Sequence, residues 1–404
     1  MNIGRMAWRN VWRNPRRSGV TIAAMAFALW VMVLYAGLVD GMLIGMQKDV
    51  LDLEVGEIQI HATGYRDDPS IYSQVPDSAK VVKALEDAGF RASARLTAGG
   101  LGASSTTSAG VLLTGLDPAH DGRVSELGER VQDGSWVDPA RPDGVVIGRR
   151  LAKSLGIRLG DELLVLSQGA DGSVANGLFT VTGVLGVVGD GIDRTGVFMN
   201  EGAFRDLMAV PTGAHQITLR TPPGLQLAEA KAKVMDLVPD TEVETWRELL
   251  PTVATMLDST RGLITVVFFI VYVAIAILVL NAMLMAVFER IREFGVMKAI
   301  GVGPGAVLGM ITLETLFQTL IAMAIGLTAA APVAAYLAKV GVDVGVLGGT
   351  SMLGVSMQQR WTGVYGPGTV IGPVVALAIM VTLAVLYPAA KAAWIRPLDA
   401  MRYR

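Results

Sequence analysis

The chain has 404 residues, 52% of them hydrophobic, and a positive mean hydropathy that is too high for an ordinary soluble protein. It contains no cysteine, which excludes disulfides, thiolate chemistry and cysteine-based metal sites. The formal net charge of −2 combines an acidic central segment with basic ends, and this distribution argues against a nucleic-acid-binding protein.

The first predicted element is a cytoplasmic amphipathic helix over residues 1–17. Its tryptophans and arginines lie beside each other at helical spacing, which is typical of a helix in the headgroup region of a membrane. We expect a structural anchor at the membrane surface, formed by Trp8, Arg9, Trp12, Arg13, Arg16 and Arg17.

Four long charge-free runs, at residues 19–39, 262–288, 315–338 and 361–390, predict four transmembrane helices, because each run reaches the roughly 20 residues that a helix needs to cross hydrocarbon. The spans are predicted at residues 18–46, 260–289, 305–338 and 367–392. A cleaved signal peptide is the alternative for the first run, but the apolar region of a signal peptide is only about 7 to 15 residues long and precedes a small-residue cleavage site. We therefore interpret the first run as a membrane span.

Residues 47–258, between the first and second spans, are predicted to form an extracytoplasmic α/β domain. The segment is long enough for its own core and for two subdomains. Period-two alternation predicts strands at residues 57–61, 161–167, 179–185 and 215–220. Apolar residues at three- and four-residue spacing predict helices at residues 78–88, 148–155, 201–208 and 227–237. The pair Gly99-Gly100 indicates a loop or a close backbone approach.

No sequence motif supports catalysis by this chain. It has neither the Gly-x-x-x-x-Gly-Lys-Ser/Thr sequence of a phosphate-binding loop nor a Gly-x-Ser-x-Gly nucleophile elbow. The three histidines, His61, His120 and His215, lack metal-ligand spacing, and we interpret them as satisfied or solvated side chains. We therefore expect no enzyme activity, no metal and no cofactor bound by this chain itself.

The most informative segment follows the second span, at residues 290–304. Charged and apolar residues alternate there at helical spacing, and the uninterrupted pattern from Val266 to Val296 permits a helix that stays rigid across this boundary. One interpretation is a solvated helix end with basic membrane anchors. The other is a connector that docks a cytoplasmic partner and transmits its motion into the span. The candidate coupling residues are Glu289, Arg290, Arg292, Glu293, Phe294, Gly295, Lys298 and Gly301.

Basic residues near the spans predict the orientation, because Lys and Arg are retained on the cytoplasmic side. Both termini, including the tail at residues 393–404, and the 290–304 segment are then cytoplasmic. The outer loop at residues 339–366 reads as a partly apolar lid or membrane-surface element. Glu314 lies inside the third span, and we expect a packing or interface role for it, because none of the other three apolar runs holds a charged partner for a proton relay.

Three segments resemble permeases of the FtsX-like superfamily, which includes the lipoprotein-releasing LolC/LolE type and the macrolide-exporting MacB type. They are residues 7–17, residues 289–301 and residues 387–398, and together they place the resemblance along almost the whole chain. Residues 148–161 are similar to the periplasmic core domain of that family. The chain lacks the fused ATPase domain of the macrolide exporters, so its length favours the lipoprotein-releasing branch.

The resemblance implies a multi-pass permease of the bacterial inner membrane that pairs with a second permease, identical or paralogous. Two cytoplasmic ABC ATPase subunits would carry ATP and Mg and would dock on the segment at residues 289–301, and a periplasmic carrier or adaptor would be a further partner. In such proteins ATP-driven dimerisation of the ATPases moves the outer domains by mechanotransmission.

The favoured function is lipoprotein release from the inner membrane. Three alternatives stay open: MacB-like efflux of small molecules or peptides, FtsX-like regulation of an extracytoplasmic hydrolase, and a membrane-anchored enzyme or receptor without an ATPase.

Overall fold

A computed structural model describes residues 3–344, 351–352, 355–356 and 360–396. Part of the predicted outer loop and residues 397–404 of the predicted tail, which include the resemblance at Pro397 and Leu398, therefore lie outside the described residues. The described chain separates into two compact units. One, the helical unit, contains residues up to 43, residues 257–343 and residues from 360 onward, and the other, the α/β domain, is built on residues 44–256.

Two helices precede the α/β domain. Helix α1 spans Ile3–Arg13, and helix α2 spans Pro15–Asp49 and continues into a π-helical turn at Val50–Val55. Pro15 begins α2 because a proline at the first helical position lacks only an amide hydrogen that would be unpaired there anyway.

The α/β domain contains ten strands and seven helices. The strands are β1 (Ile58–Ala62), β2 (Arg91–Ala103), β3 (Ser108–Leu116), β4 (Val131–Gly134), β5 (Gly144–Ile147), β6 (Glu162–Gln168), β7 (Val174–Leu185), β8 (Gly196–Asn200), β9 (Gln216–Arg220) and β10 (Thr241–Thr245). The helices are α3 (Ser78–Asp87), α4 (Pro118–Asp121), α5 (Arg149–Leu155), α6 (Asp190–Thr195), α7 (Glu201–Met208), α8 (Leu227–Leu237) and α9 (Trp246–Leu249).

Strand β2 joins the two halves of one continuous sheet. Six strands close a ring in the order β2-β3-β8-β5-β7-β6 and back to β2, with β3/β8 and β5/β7 parallel and the other pairs antiparallel. The first half of β2 also pairs with β9, which continues antiparallel to β1 and β10, while β4 adds to the edge of β7. Separate apolar cores fill the ring and the layer between strands β9, β1 and β10 and helices α3 and α8.

The long hairpin β2–β3 has no counterpart among the predicted strands, because the pair Gly99-Gly100 interrupts its alternation. The structure places both glycines inside β2. At Gly100 a Cβ atom would lie only 2.9 Å from the carbonyl oxygen of Leu166, so the glycine permits the close approach of β6. The loop expectation at this pair is wrong, and the alternative of a close backbone approach is right.

Four more helices follow. They are α10 (Pro251–Glu289), α11 (Ile291–Ala299), α12 (Pro304–Lys339) and α13 (Pro367–Trp394). Between α12 and α13 lie the short strands β11 (Val342–Asp343), β12 (Ser351–Met352), β13 (Val355–Ser356) and β14 (Arg360–Trp361). Helices α2, α10, α12 and α13 are long and apolar enough to cross a membrane. The predicted fold class, four apolar helices with an α/β domain between the first and the second, is confirmed.

The second span and the segment after it are separate helices. The uninterrupted pattern from Val266 to Val296 permits a single helix, but α10 ends at Glu289 and α11 begins at Ile291. Arg290 leaves the helical conformation, with φ −111° and ψ 11°, and its amide hydrogen bonds three residues back to Val287. Apolar and charged residues recur at helical spacing both before and after this turn. The sequence pattern therefore does not reveal the turn.

Candidate functional site

The candidate coupling residues surround the junction between α10 and α11, at one end of the helical unit. Ion pairs connect this junction to three neighbouring helices, α1, α2 and α12. In these pairs Arg13 Nη1 donates to Glu293 Oε2 at 2.8 Å, Arg17 Nη1 to Glu289 Oε2 at 2.5 Å and Arg290 Nη1 to Glu314 Oε2 at 3.1 Å. The segment is therefore tied to the rest of the helical unit from several sides.

The pairs differ in burial and therefore in energy. The hydrogen bond from Arg13, with a second from Arg290 at 3.2 Å, holds the pKa of the Glu293 carboxyl below its usual range. Because Arg13 and Glu293 are both largely exposed, their pair contributes at most about 1 kcal/mol to stability. Arg290 and Glu314, by contrast, are 13% and 4% exposed, and removing one partner of such a buried pair costs about 3–5 kcal/mol.

Three further candidate residues point into the helical unit and are structural. Phe294 and Gly295 are buried. Lys298 Nζ donates to the carbonyl oxygens of Ala393 and Ile395, at 2.6 and 2.5 Å, and so binds the last turn of α13. These contacts hold α11 in place, and the predicted role of the three residues in coupling stays a prediction.

Gly301 ends α11. It has φ +97°, and its amide bonds to the carbonyl of Lys298 while the next amide, of Val302, bonds to the carbonyl of Met297. This pattern is the Schellman motif, which requires a left-handed residue that glycine adopts without strain. Gly301 therefore has a structural role at the end of α11, and its predicted role in coupling stays a prediction.

The opposite face of α11 is open. Arg292, Val296, Ala299 and Ile300 are exposed, Val296 at 51% and Ile300 at 76%. Their spacing of four, three and one residues puts them on one side of the helix. Of these four only Arg292 is among the predicted coupling residues. The helical spacing could have identified the other three residues. A search for charged residues alone selects residues on both faces of α11.

The predicted membrane-surface anchor residues also divide into two groups. Arg13 and Arg17 bind glutamates of the junction, while Trp12, Arg9 and Arg16 are exposed. The ring of Trp8 packs edge-on against Phe317 of α12, with 5.4 Å between centroids. Helix α1 thus packs against the helical unit on one side and presents basic and aromatic side chains on the other.

Two family models match this chain. Residues 18–237, more than half of the chain, match the MacB-like periplasmic core domain, and residues 265–397 match the FtsX-like permease C-terminal domain. The chain belongs to the FtsX-like permeases. These permeases are transmembrane subunits of ABC transporters, so the match implies a partner ATPase. No curated protein matches the chain.

Two solved structures are similar to part of this permease. The periplasmic region of MacB from Actinobacillus actinomycetemcomitans is 13% identical, covers 52% of this chain and 98% of its own, and has a TM-score of 0.38. The extracellular domain of the ABC-type transporter YknZ from Gram-positive bacteria is 14% identical, covers 47% of this chain and 98% of its own, and has a TM-score of 0.34.

The helical unit of the permease contains an apolar cleft of about 510 Å³ between α2, α10 and α13. Aromatic side chains of α10, among them Phe268 and Tyr272, form one wall. A single carboxylate, Asp40, lies in the lining, where its Oδ2 accepts a hydrogen bond of 2.9 Å from Thr369 Oγ1. The cleft therefore combines a largely apolar interior with one carboxylate.

Ion pairs and hydrogen bonds fix the end of α2 within the α/β domain of the permease. Asp49 accepts a hydrogen bond from Arg130 at 3.1 Å, and Asp52, in the π-helical turn, pairs with Arg220 of β9. The backbone carbonyl of Asp52 also accepts from Ser125 Oγ at 3.0 Å. These contacts join the turn after α2 firmly to the sheet.

Two of the three histidines lie together, on either side of Tyr65. The rings of His61 and Tyr65 stack at 5.3 Å, and that of His215 lies 6.0 Å from Tyr65. Burial lowers the pKa of both His61 and His215. Nδ1 of His215 accepts from the amide of Thr97, so its proton is on Nε2, which donates to the carbonyl of Ile71. Across the described ranges, no three His, Asp or Glu side chains gather as a metal ion would require.

Proposed function

We propose that this permease is driven by an ATPase that docks on the exposed face of α11, and that it moves a lipid-linked cargo, of the lipoprotein type, by mechanotransmission. The observation that carries the proposal is the division of α11 into two faces. One face is tied to α1 and α13 and, through the N-cap Arg290, to α12, and the other presents Arg292, Val296 and Ile300 to solvent.

A short helix held in this way suits the transmission of force. A push on its open face acts on α1 through Glu293, on α12 through the N-cap Arg290 and on α13 through Lys298. Apolar side chains beside an arginine are also the composition expected at the centre of a protein interface.

The contacts at the far end of α2 support an output in the α/β domain. Because Asp49 and Asp52 bind Arg130 and Arg220, a displacement of the last turn of α2 would be carried into β9 and its neighbours. Buried and partly buried pairs of this kind keep their geometry better than exposed ones, since few alternative partners are available to them.

The apolar cleft between α2, α10 and α13 supports a lipophilic cargo. Its volume and aromatic wall suit acyl chains, and Asp40 offers one polar contact near Thr369. Efflux of a small amphiphile through the same cleft is the second candidate, favoured by the MacB-like core domain. Appearance of a lipoprotein in the soluble fraction outside the membrane would favour lipoprotein transport over efflux of a small amphiphile.

The assembly that we propose contains a second permease, two ATPase subunits with ATP and Mg, and a periplasmic carrier or adaptor, in a bacterial inner membrane. Both termini and α11 would face the cytoplasm. The basic residues at the start of the chain, Arg9 of α1 and Arg16 of α2 among them, support this orientation, because they would lie near anionic headgroups.

The test introduces acidic side chains on the open face of α11. In the double variant Arg292→Glu with Val296→Asp, we expect the ATPase retained during affinity purification in mild detergent to fall about tenfold or more, as for interface residues worth about 1.4 kcal/mol or more together. The retained protein is identified by mass spectrometry and by its Walker A sequence.

The matched control is Arg16→Glu, an equal charge reversal at an exposed arginine outside α11, which should leave retention unchanged. Undiminished ATPase binding by the double variant would show that docking occurs elsewhere.

A further inference from the structure

The α/β domain contains a cavity of about 390 Å³ at which its first and last segments meet. Leu53 of the π-helical turn contributes to the lining where the chain enters the domain, and Leu250, just before α10, contributes where it leaves. Leu127 and Phe198 add apolar surface. The volume is within the range of small-molecule sites in proteins.

The floor of this cavity is a sheet face that is both buried and polar. On strands β1, β2 and β9 the residues facing α3 and α8 are apolar, whereas those facing the cavity include Gln59, Arg95, Thr97 and Gln216. Arg95 and Gln216 are direct cross-strand neighbours, and so are Thr97 and Thr114. Buried polar side chains are costly unless they are hydrogen bonded, so a face of this kind needs partners.

Most of these groups are already bonded within the protein. Arg95 binds the buried carboxylate of Asp121 at 2.7 Å, and Thr97 Oγ1 bonds to the hydroxyl of Tyr65 at 2.8 Å. Thr114 differs: it is only 7% exposed and lines the cavity, yet within the described ranges its hydroxyl makes no hydrogen bond. The cavity thus offers an unused hydroxyl beside a paired arginine and several apolar walls.

We propose that this cavity is a binding site for a small neutral amphiphile, an apolar body that carries hydroxyl or amide groups. The apolar part packs against Leu127 and Phe198, and the polar part bonds to Thr114 and Gln216. A neutral ligand is favoured because Arg95 already has its carboxylate, so an anion would have to compete with Asp121. The site lies within the α/β domain and is independent of the apolar cleft and of the docking face on α11.

The natural absence of cysteine allows a direct test with the full chain in lipid nanodiscs. Thr195→Cys places a thiol in the cavity lining, and Ser105→Cys places one on an exposed loop. The rate of modification by a small methanethiosulfonate reagent is measured with 1-octanoylglycerol, with octanoate or with glycerol. We expect 1-octanoylglycerol to slow the reaction at position 195 alone, and octanoate and glycerol to leave both rates unchanged.

Combining Thr195→Cys with Thr114→Val should raise the concentration of 1-octanoylglycerol needed for half-protection about fivefold, the loss expected for one neutral hydrogen bond. The matched Thr106→Val, on the exposed loop, should not change it. Leu112→Trp, which fills the cavity from a position that is itself half exposed, should abolish protection even if Thr114→Val fails to fold.

The proposal is overturned by equal slowing at position 105, by equal protection with octanoate, or by protection that persists in Leu112→Trp. The assay contains no ATPase. A negative result would therefore not contradict the docking proposal for α11. In the same way, a negative result in the docking test would not contradict this binding site.

Discussion

The side chain of Arg290 makes several contacts at the junction of α10 and α11. Its guanidinium bonds to Glu314 and Glu293 and lies 5.4 Å from the centroid of the Phe294 ring. A lysine could not make these contacts together, because it lacks the planar fork of donors. Arg290, a predicted coupling residue, is thus at the centre of the packing between α10, α11 and α12.

His215 leads to a prediction about pH at the same scale. Burial lowers its pKa, and protonation would replace the acceptor at Nδ1 with an N–H that faces the amide donor of Thr97. The unfolded chain therefore binds more protons than the folded one once the pH falls below about 6.5, the ordinary histidine value. The stability contributed by the neutral ring is fully present above that pH and is lost as the pH falls from it towards the lowered folded-state value.

We expect the apparent unfolding temperature in detergent to fall between pH 7.5 and 5.5, and the fall to be smaller in His215→Gln. His61→Gln is the comparison, since both ring nitrogens of His61 face oxygen acceptors, on His215 and Gln59, which tolerate a protonated ring better. An equal pH dependence in wild type and His215→Gln would contradict this explanation.

At the scale of elements, the arginine–glutamate pairs link the junction of α10 and α11 to its neighbours. Arg17 lies in the first turn of α2 and Glu289 in the last turn of α10, and the two bond at 2.5 Å. The pair is partly exposed, so its contribution to stability is at most about 1 kcal/mol. We expect the pair to matter for the transmission of motion, because it fixes the end of α10 relative to the start of α2.

We predict that Arg17→Glu or Glu289→Arg alone uncouples ATP hydrolysis from cargo release, because like charges then face each other across the junction. The double exchange should restore coupling, and the helix dipoles favour it, since it puts a carboxylate at the start of α2 and a guanidinium at the end of α10. The ratio of cargo released to ATP hydrolysed in proteoliposomes measures this coupling. A double exchange as defective as either single variant would show that the pair does not transmit.

For the whole molecule, the orientation of the four apolar helices decides whether α11 can meet a cytoplasmic ATPase. The positive-inside distribution predicts that α11 and the α/β domain lie on opposite sides of the membrane. Because the chain has no cysteine, single thiols report each side without a background signal.

We predict that a membrane-impermeant maleimide added to intact spheroplasts labels Ser105→Cys, on the α/β domain, and does not label Ile300→Cys, on α11, until the membrane is permeabilised. Both positions are exposed within their own units, so burial would not explain a difference. Labelling of Ile300→Cys in intact spheroplasts would reverse the orientation and remove the proposed docking.

The sequence alone determined the four apolar helices and the inserted α/β domain, because hydrocarbon thickness and apolar run length impose a one-dimensional rule. Residue types and spacing also singled out the charged segment at residues 289–301. Only the tertiary structure decided that the chain turns at Arg290, that Lys298 and Phe294 face inward, and that Val296 and Ile300 remain open. The reason is that each of these facts depends on partners distant in the chain, from Arg13 to Ala393, whose positions no local pattern contains.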